Sequence, residues 1–359
     1  MEKETKKTKT KTYHEQLNID YTIRIREILA TMPPFCKDYF RAIEPRTSAK
    51  TRVSYAYDIR TFFRFLIDSN PVYKNRTTDQ FDLHDLERLD PVDFEEYMSY
   101  LKVYENDEST TVTNTERGLA RKMSAIRSLY TYFYKRQAID KNPTVIVDMP
   151  KLHEKAIIRL DTDEVVELLD YVEHCGDELT GQQKIYYEKT KYRDLAILTL
   201  LLGTGIRVSE CVGLDLNDVD FKNNGITVTR KGGNQMVVYF GDEVRRALDK
   251  YIKYTRSGIT PIDGHENALF FSTQRKRMGV QAVENMVKKY ARIVTPNKKI
   301  TPHKLRSTYG TSLYKETGDI YLVADVLGHK DVNTTKKHYA ALDENRRRMA
   351  ATAVKLRES

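Results

Sequence analysis

Cysteine is scarce in this chain of 359 residues, and tryptophan is absent. The three cysteines, Cys36, Cys175 and Cys211, are widely spaced and form no C-x-x-C pair. This spacing argues against a disulfide framework and against a zinc site built from thiolates, and it is typical of a reducing compartment. We therefore expect a cytoplasmic location.

Long apolar runs are also lacking. No uninterrupted stretch approaches the ~18 apolar residues that a membrane-spanning helix needs. The N-terminus is rich in lysine and threonine and has no apolar core of the kind found in a secretory signal. The sequence therefore predicts no membrane partner.

The composition is that of a folded protein with a basic surplus. Apolar residues make up 40% and charged residues 31%, and the length suits two domains better than one. Lysine and arginine exceed the acidic residues by 60 to 51, which gives a net charge of +9. Such a surplus is compatible with a nucleic-acid partner but does not prove one.

The first half of the chain predicts a helical unit. Residues 1–20 form a basic, flexible tail in this interpretation, either simply solvated or tracking DNA as an arm. Helical periodicity begins at Tyr21, and three further helices are predicted at Thr51–Ile67, Pro91–Tyr104 and Thr115–Lys135. The first and last of these three are amphipathic with basic polar faces, which favours a DNA-embracing domain over residues 21–148. Proline and polar residues predict a linker over 149–159.

The second half predicts a helix-dominated α+β unit. A capped helix runs from Thr162 to about Tyr171, a polar loop with at most a short helix spans Gly176–Lys191, and an apolar helix covers Tyr192–Leu202. Between Val219 and Phe240 the apolar period drops to two, with glycine turns between the runs, so we predict two or three antiparallel strands. From Val244 onward the chain is mainly helical. The fold class is therefore mainly α with a small antiparallel sheet.

Several polar residues stand out locally, but each has an ordinary explanation. Arg207 follows a glycine-bounded helix end and could simply pair with Glu210. His303 and Arg306 lie three apart near a predicted helix start, where they could bind a phosphate or form a structural pair. Tyr339 is one of 24 tyrosines. None of these signals carries a function alone.

Four motifs in the second half, taken in order, resemble the tyrosine recombinase and phage integrase family. Leu200–Asp220 (L-L-L-G-T-G-I-R-V-S-E-C-V-G-L-D-L-N-D-V-D) resembles its first arginine box, and Thr301–Thr311 (T-P-H-K-L-R-S-T-Y-G-T) resembles its H-x-x-R box. Leu327–Tyr339 (L-G-H-K-D-V-N-T-T-K-K-H-Y) is similar to its final box, and Arg230–Asn234 falls at the turn where the family keeps a lysine. The resemblance is strong over about Leu160–Leu342. It implies a catalytic domain over 160–342 and a helical SAM-like core-binding domain before it.

The resemblance implies a role for each residue that it places. The implied catalytic residues are Arg207, Lys231, His303, Arg306, His329 and Tyr339. Tyr339 is the implied nucleophile, which forms a 3′-phosphotyrosine, while the two arginines hold the phosphate. Lys231 protonates the leaving oxygen, His303 assists proton transfer at the tyrosine, and His329 supports the phosphate. Neither a metal nor another cofactor is implied. Lys222 is a second lysine nearby, and Tyr309 and Tyr314 are rival tyrosines.

The first half resembles the family loosely, and two sets of residues match its DNA-facing helices. The implied DNA contacts are Ser48, Thr51, Arg52, Tyr55, Arg121, Lys122, Ser124 and Arg127. We expect these residues to contact phosphates and grooves without reading bases.

The expected assembly is a tetramer on two synapsed DNA sites, each a pair of half-sites. Residues 343–359 form a tail that folds back in cis or docks as a helix on a neighbouring protomer. Accessory bending proteins or a partner recombinase are possible in this family. The implied role is chromosome-dimer resolution or mobile-element integration and excision. The alternatives are relaxation of DNA as by a type IB topoisomerase, and a catalytically silent DNA-binding regulator.

Overall fold

The computed structural model describes residues 12–106, 109–152, 157–230, 232–328 and 332. The chain divides into two compact units, Met1–Lys155 and Ala156–Ser359. Helices dominate both units, and each contains one small antiparallel sheet. The predicted fold class is therefore confirmed. Within the described ranges, no helix combines the length and the apolar character needed to cross a membrane.

The described part of the first unit is built from six helices and a strand pair. These elements are α1 (Tyr13–Leu29), α2 (Cys36–Ile43), α3 (Ala49–Ser69), α4 (Leu83–Arg88), α5 (Pro91–Tyr100), β1 (Val103–Glu105), β2 (Thr111–Thr113) and α6 (Glu116–Lys135). The predicted helices at Thr51–Ile67 and Thr115–Lys135 are confirmed by α3 and α6. They pack against each other because both carry apolar residues at helical spacing.

Aromatic rings fill the core of the first unit. Phe62 on α3 stacks on Phe94 of α5 with ring centroids 5.6 Å apart, and Tyr97 meets Phe62 edge-on at 5.0 Å. Tyr130 of α6 is fully buried and donates a hydrogen bond to the Leu86 carbonyl at 3.0 Å. Aromatic pairs of this geometry add about 0.5–1.5 kcal/mol each beyond their buried area. The core therefore fixes the relative positions of α3, α5 and α6.

The N-terminal boundary of the predicted first helix is wrong. We expected a flexible tail through residue 20, yet α1 already begins at Tyr13. A capping box explains the early start, since Thr12 accepts from the Glu15 backbone and Glu15 accepts in return from the Thr12 backbone at 2.8 Å. The tail prediction for residues 1–11 falls outside the described residues.

The predicted helix Pro91–Tyr104 is too long. α5 ends at Tyr100, and Val103–Glu105 pairs as β1 with β2. This strand pair was not predicted, because three-residue strands give almost no alternation in the sequence.

The described part of the second unit contains seven helices and three strands. They are α7 (Thr162–His174), α8 (Gly181–Thr204), α9 (Val208–Gly213), β3 (Val219–Asp220), β4 (Gly225–Thr229), β5 (Gln235–Tyr239), α10 (Asp242–Tyr254), α11 (Val280–Val294), α12 (Pro302–Thr317) and α13 (Ile320–Leu327). The predicted antiparallel sheet is confirmed, with strand order β3-β4-β5. Asn224 takes a positive φ of 51° at the first turn of the sheet, where an Asn-Gly pair was expected.

The loop predicted over Gly176–Lys191 is wrong from Gly181 onward. Those residues form the first half of α8, which continues to Thr204 and packs on α7, α10 and α12. Tyr187 and Thr190 are buried although their neighbours are polar and exposed. Packing of these few positions stabilises the helix, whereas the local polarity had indicated a loop.

Candidate active site

Arg207 is positioned by a glycine that ends α8. Gly205 takes a left-handed φ of 62°, and a Cβ there would lie 2.3 Å from Cδ1 of Tyr309. Glycine is therefore required both by the backbone conformation and by the close approach of α12. Arg207 follows as the N-cap of α9, so the position of its backbone, from which the side chain extends, is fixed by the start of that helix.

Glu210 holds Arg207 from one turn further along. Its Oε2 accepts from the Arg207 backbone nitrogen, and its Oε1 accepts from Arg207 Nη1, both at 2.8 Å. The Glu210 side chain is 3% exposed and that of Arg207 38% exposed. The guanidinium is thus oriented by a buried carboxylate while part of it stays accessible. Glu210 therefore has the structural role that its spacing suggested.

Arg306 lies on α12, which begins with Pro302 as predicted. Its side chain is buried, and Nη1 donates to the Gly205 carbonyl at 2.6 Å. Nη2 donates to the Leu327 carbonyl at the end of α13. His303, one turn earlier, is exposed. The predicted helix is confirmed, and it places the arginine inside and the histidine at the surface.

Three arginines from distant parts of the chain meet at the carboxyl end of α13. Arg230 donates to the Val326 carbonyl at 2.7 Å, Arg306 to Leu327, and Arg207 to Gly328 at 3.4 Å. Consecutive carbonyls at a helix C-terminus carry partial negative charge, so they attract and align cations. The structure thereby brings Arg207 and Arg306 together. Arg230 was not predicted as a site residue; its place before Lys231 on a glycine turn was the available signal.

Three of the predicted site residues, Lys231, His329 and Tyr339, lie outside the described residues. Their described neighbours are nevertheless informative. Arg230, which precedes Lys231, and Gly328, which precedes His329, both belong to the arginine cluster at the end of α13.

The two rival tyrosines are packed into the unit. Tyr314 is buried in a small cluster with Val323 and Leu327, and Tyr309 packs against it. Burial raises the pKa of Tyr309. A raised pKa makes the phenolate harder to form, which disfavours Tyr309 as a nucleophile.

In the first unit, several side chains of the predicted DNA contacts already bind other groups of the protein. Arg52 is buried and donates to two backbone carbonyls and to Glu44. Lys122 is buried with Asp58, which also binds Arg121. Burial raises the pKa of Asp58, and the two cations oppose this effect.

The remaining members of that set are more exposed or serve the backbone. Ser48 is exposed and caps α3 by accepting from Thr51. Ser124 is exposed, and Tyr55 is partly buried against the core. Arg127 donates to the carbonyls of residues 144 and 147. Arg121 keeps 49% of its side chain exposed and lines a groove of about 750 Å³ with Arg24, Arg60 and Arg64.

A family model described as the phage integrase family matches residues 158–346. Tyrosine recombinase XerC of Caldanaerobacter subterraneus subsp. tengcongensis is 33% identical over 329 residues, which cover 89% of this chain and 86% of the relative. Tyrosine recombinase XerS of Streptococcus uberis is 33% identical over 334 residues, covering 87% and 93% respectively. These relatives align along both units.

Solved structures share the fold. The XerH site-specific recombinase, bound to a palindromic difH substrate after cleavage, aligns with a TM-score of 0.60 and 16% identity over 85% of this chain and 79% of its own. The Tn1549 transposon integrase, in complex with circular intermediate DNA, aligns with a TM-score of 0.60 and 21% identity. The alignment covers 89% of this chain and 99% of the integrase chain. Together with the family match and the near full-length relatives, this agreement in fold shows that the chain belongs to the phage integrase family of tyrosine recombinases, enzymes that break and rejoin DNA.

Proposed function

We propose that this site-specific recombinase cleaves DNA through a 3′-phosphotyrosine on Tyr339, with residues 160–342 as its catalytic domain. The observation that carries the proposal is the meeting of Arg207 and Arg306 at the end of α13. The final motif, which ends in Tyr339, begins there at Leu327. Two guanidinium groups beside this motif suit a scissile phosphate.

The electrostatics of the two arginines support phosphate binding. Arg306 donates to the carbonyls of Gly205 and Leu327, and these two bonds align the guanidinium without adding a negative charge. Arg207 shares its charge with Glu210 but remains partly exposed. Forked guanidinium donors match the non-bridging oxygens of a phosphate. Each contributes about 2.7–4 kcal/mol of transition-state stabilisation, the value for comparable oxyanion donors.

The proposed cleavage step conserves the bond energy of the DNA backbone. The Tyr339 oxygen attacks phosphorus, the bond from phosphorus to the 5′-oxygen breaks, and the phosphate remains on the tyrosine as a diester. His303 accepts the tyrosine proton, Lys231 donates a proton to the departing 5′-oxygen, and His329 hydrogen-bonds the phosphate. Rejoining reverses these transfers with the 5′-hydroxyl of the exchanged strand. One diester replaces another, so the mechanism needs no nucleotide cofactor and no metal.

The position of Arg230, the residue before Lys231 in the sequence, favours Lys231 over Lys222 as the proton donor. Arg230, directly before Lys231, contacts the end of α13. Lys222 lies in the turn at the other end of β4, where its backbone nitrogen donates to Asp220 at 2.8 Å. A strand of five residues separates the two turns by about 16 Å, too far for both to serve one phosphate.

We propose that residues 21–148 bind DNA as the core-binding domain. The charges of Arg52 and Lys122 are already bound within the protein, so phosphate contacts come mainly from the exposed members of the predicted set, Ser48, Arg121 and Ser124. The groove beside Arg121 is lined by Arg24, Arg60 and Arg64 and also by three acidic residues, Asp58, Asp68 and Glu105, so cations exceed anions there. Phosphate contacts of this kind orient a protein on DNA without reading its sequence.

The proposed active assembly is a tetramer on two synapsed sites, each made of two half-sites. Residues 343–359, outside the described part of the chain, dock on a neighbouring protomer and couple the active sites. Deletion of residues 344–359 should abolish recombination and spare DNA binding. Full recombination by the truncated protein would disprove this coupling.

Covalent trapping on a nicked suicide substrate tests the central proposal. The nick lets a short 5′-hydroxyl strand diffuse away after cleavage, so the phosphotyrosyl adduct accumulates and is counted on a denaturing gel. The unaltered protein should form the adduct and Tyr339→Phe should form none, while Tyr309→Phe and Tyr314→Phe serve as matched controls that retain it. An adduct with Tyr339→Phe would identify another nucleophile, and no adduct with the unaltered protein would favour a silent regulator.

Strand exchange separates the proposal from topoisomerase-like relaxation. Two plasmid-borne copies of the native target, located first by footprinting, should recombine in the presence of the protein and any accessory factor. Relaxation of supercoiled DNA of any sequence, without exchange, would favour the topoisomerase. The sequence of the target would also separate chromosome-dimer resolution from mobile-element integration.

A further inference from the structure

The described residues of the turn between β4 and β5, Gly232 to Asn234, have few contacts with the rest of the unit. Gly232 and Gly233 take φ values of 101° and 86°, and a Cβ on either would meet nothing within 4 Å. Two backbone bonds close the turn, from Arg230 to the Asn234 carbonyl at 2.8 Å and from Gly233 to the Arg230 carbonyl at 3.0 Å. These bonds shape the turn but do not fix it to the rest of the unit.

The Arg230 side chain supplies an anchor. It crosses from the sheet to α13 and donates from Nη2 to the Val326 carbonyl at 2.7 Å. Its guanidinium covers Gly328 so closely that a Cβ there would lie 1.0 Å from Nη1. Gly328 also takes a left-handed φ of 62°, so glycine satisfies both the helix end and the approach of Arg230. Burial lowers the pKa of Arg230, an effect that Glu210 opposes.

We propose that Arg230 is a positioning residue, which fixes the turn between β4 and β5 against the end of α13. This turn contains Lys231 in the sequence, and Gly328 at the end of α13 directly precedes His329. The inference rests on the proposed role of Lys231 as proton donor to the 5′-oxygen. Arg230 limits the motion of its neighbour in the chain, so the ammonium group meets the leaving oxygen at the distance that proton transfer needs. Arg230 itself touches no reacting atom in this role.

A direct phosphate contact is the competing role for Arg230. Its Nε and Nη1 are shielded from solvent and donate to no partner within the described residues. They also lie in the same cluster as Arg207 and Arg306. The two roles differ in the atom that is served, since a positioning residue helps the leaving oxygen and a phosphate ligand helps the non-bridging oxygens.

Cleavage of a suicide substrate with sulfur at the 5′-bridging position distinguishes the two roles. A thiol has a pKa of about 8.5, so the sulfur departs as a thiolate without a proton donor. On the ordinary substrate, Arg230→Ala should lower the single-turnover cleavage rate about 10- to 100-fold, less than the roughly 100- to 10,000-fold expected for losing the acid itself. On the sulfur substrate, Arg230→Ala should cleave within about threefold of the unaltered protein.

Two reference variants make the result interpretable. Lys231→Ala should be rescued by sulfur in the same way, and if it is not, the proposed role of Lys231 fails independently of Arg230. Arg245→Ala is the matched control, because Arg245 donates to Phe221 and Asn224 at the other turn of the same sheet, at 2.7 Å each. It should leave both rates unchanged.

Two outcomes overturn the positioning role. One is an equal loss on both substrates for Arg230→Ala while Lys231→Ala is rescued, which identifies a phosphate ligand. The other is a rate for Arg230→Ala within about threefold of normal on the ordinary substrate. If Arg230→Ala does not fold, Arg230→Lys is measured in its place, since it keeps a charged donor but loses the reach of the guanidinium. Its cleavage rates on the ordinary and the sulfur substrate then distinguish a positioning residue from a phosphate ligand.

Discussion

The cations around Asp58 in the first unit and those at the end of α13 in the second unit are held in different ways. In the first unit, Arg121 and Lys122 meet the buried carboxylate of Asp58, which is 1% exposed. In the second unit, Arg230 and Arg306 meet backbone carbonyls at the end of α13. A carboxylate neutralises a cation, whereas a carbonyl only orients it. Lys122, buried on its carboxylate partner, therefore stabilises the fold, whereas Arg121 keeps 49% of its side chain exposed and the carbonyl bonds of Arg230 and Arg306 add no negative charge.

This difference explains why a basic residue cannot be judged from its position in the sequence alone. Arg121, Lys122 and Arg306 all lie on helices that also carry buried apolar residues. The partner and the exposure of each side chain separate a structural cation from one that can bind phosphate. Substitutions in the two units should therefore alter different measured quantities.

The largest expected effect is on the stability of the first unit. Asp58→Ala leaves Lys122 buried without its counter-ion, which should cost about 3–5 kcal/mol in the free energy of unfolding. Urea denaturation followed by circular dichroism measures the loss. Asp38→Asn is the matched control, because Asp38 pairs with Arg41 at the surface and should cost less than about 1 kcal/mol. A loss below 1 kcal/mol for Asp58→Ala would mean that the pair is not buried in solution.

The next effect is on chemistry in the second unit. Arg306→Ala removes a charge oriented by neutral carbonyls, so cleavage of the suicide substrate should slow about 100- to 1,000-fold. DNA affinity, measured by gel shift, should change far less, since many phosphates contribute to it. Lys122→Met is the comparison from the first unit and should leave the cleavage rate of folded protein unchanged. Slow cleavage by Lys122→Met would remove the distinction between the two units.

A smaller effect should follow from the backbone that supplies the carbonyls. Gly205→Ala places a Cβ 2.3 Å from Tyr309 at a φ of 62°, and strain of this kind costs about 1–3 kcal/mol. The Gly205 carbonyl also accepts from Arg306, so cleavage should slow along with the loss of thermal stability. Gly279→Ala is the control, since a Cβ there meets nothing within 4 Å. An unchanged melting temperature for Gly205→Ala would show that α12 does not approach so closely.

The smallest effect concerns DNA binding by the first unit. Arg121→Ala should reduce the slope of log affinity against log salt by about 1 if its exposed guanidinium contacts a phosphate. Lys122→Met should leave that slope unchanged, because Asp58 and burial already occupy the ammonium group. An equal reduction of the slope by both variants would mean that Lys122 also contacts a DNA phosphate, which contradicts its role as a buried structural cation.

Periodicity and turn residues were sufficient to predict several elements of both units. α3 and α6 follow from apolar spacing, the β4 hairpin from Asn224-Gly225, and the start of α12 from Pro302. The start of α1 was missed although Thr12 and Glu15 have capping-box spacing, because the lysine-rich segment before them indicated a tail. These elements depend on local sequence alone.

Long-range partners could not be predicted in the same way. Arg230 and the Val326 carbonyl are 96 residues apart, and no local sequence pattern in either segment predicts this contact. Likewise, the burial of Lys122 with Asp58 depends on the packing of α3 on α6, and half of α8 forms because Tyr187 finds a buried site. Tertiary packing overrides local preference at such positions.

α13 is a short helix of eight residues, held on α12 by a cluster that contains Tyr314, Val323 and Leu327. Its last turn supplies one acceptor to each of three arginines, so these side chains share a single mechanical support. A shift of this helix by one bond length would disturb all three hydrogen bonds together, whereas a shift of any one arginine leaves the other two in place. Assembly of the phosphate-binding surface is therefore cooperative in α13, and the helix acts as a common reference point for side chains that lie 21, 96 and 121 residues away from their acceptors along the chain.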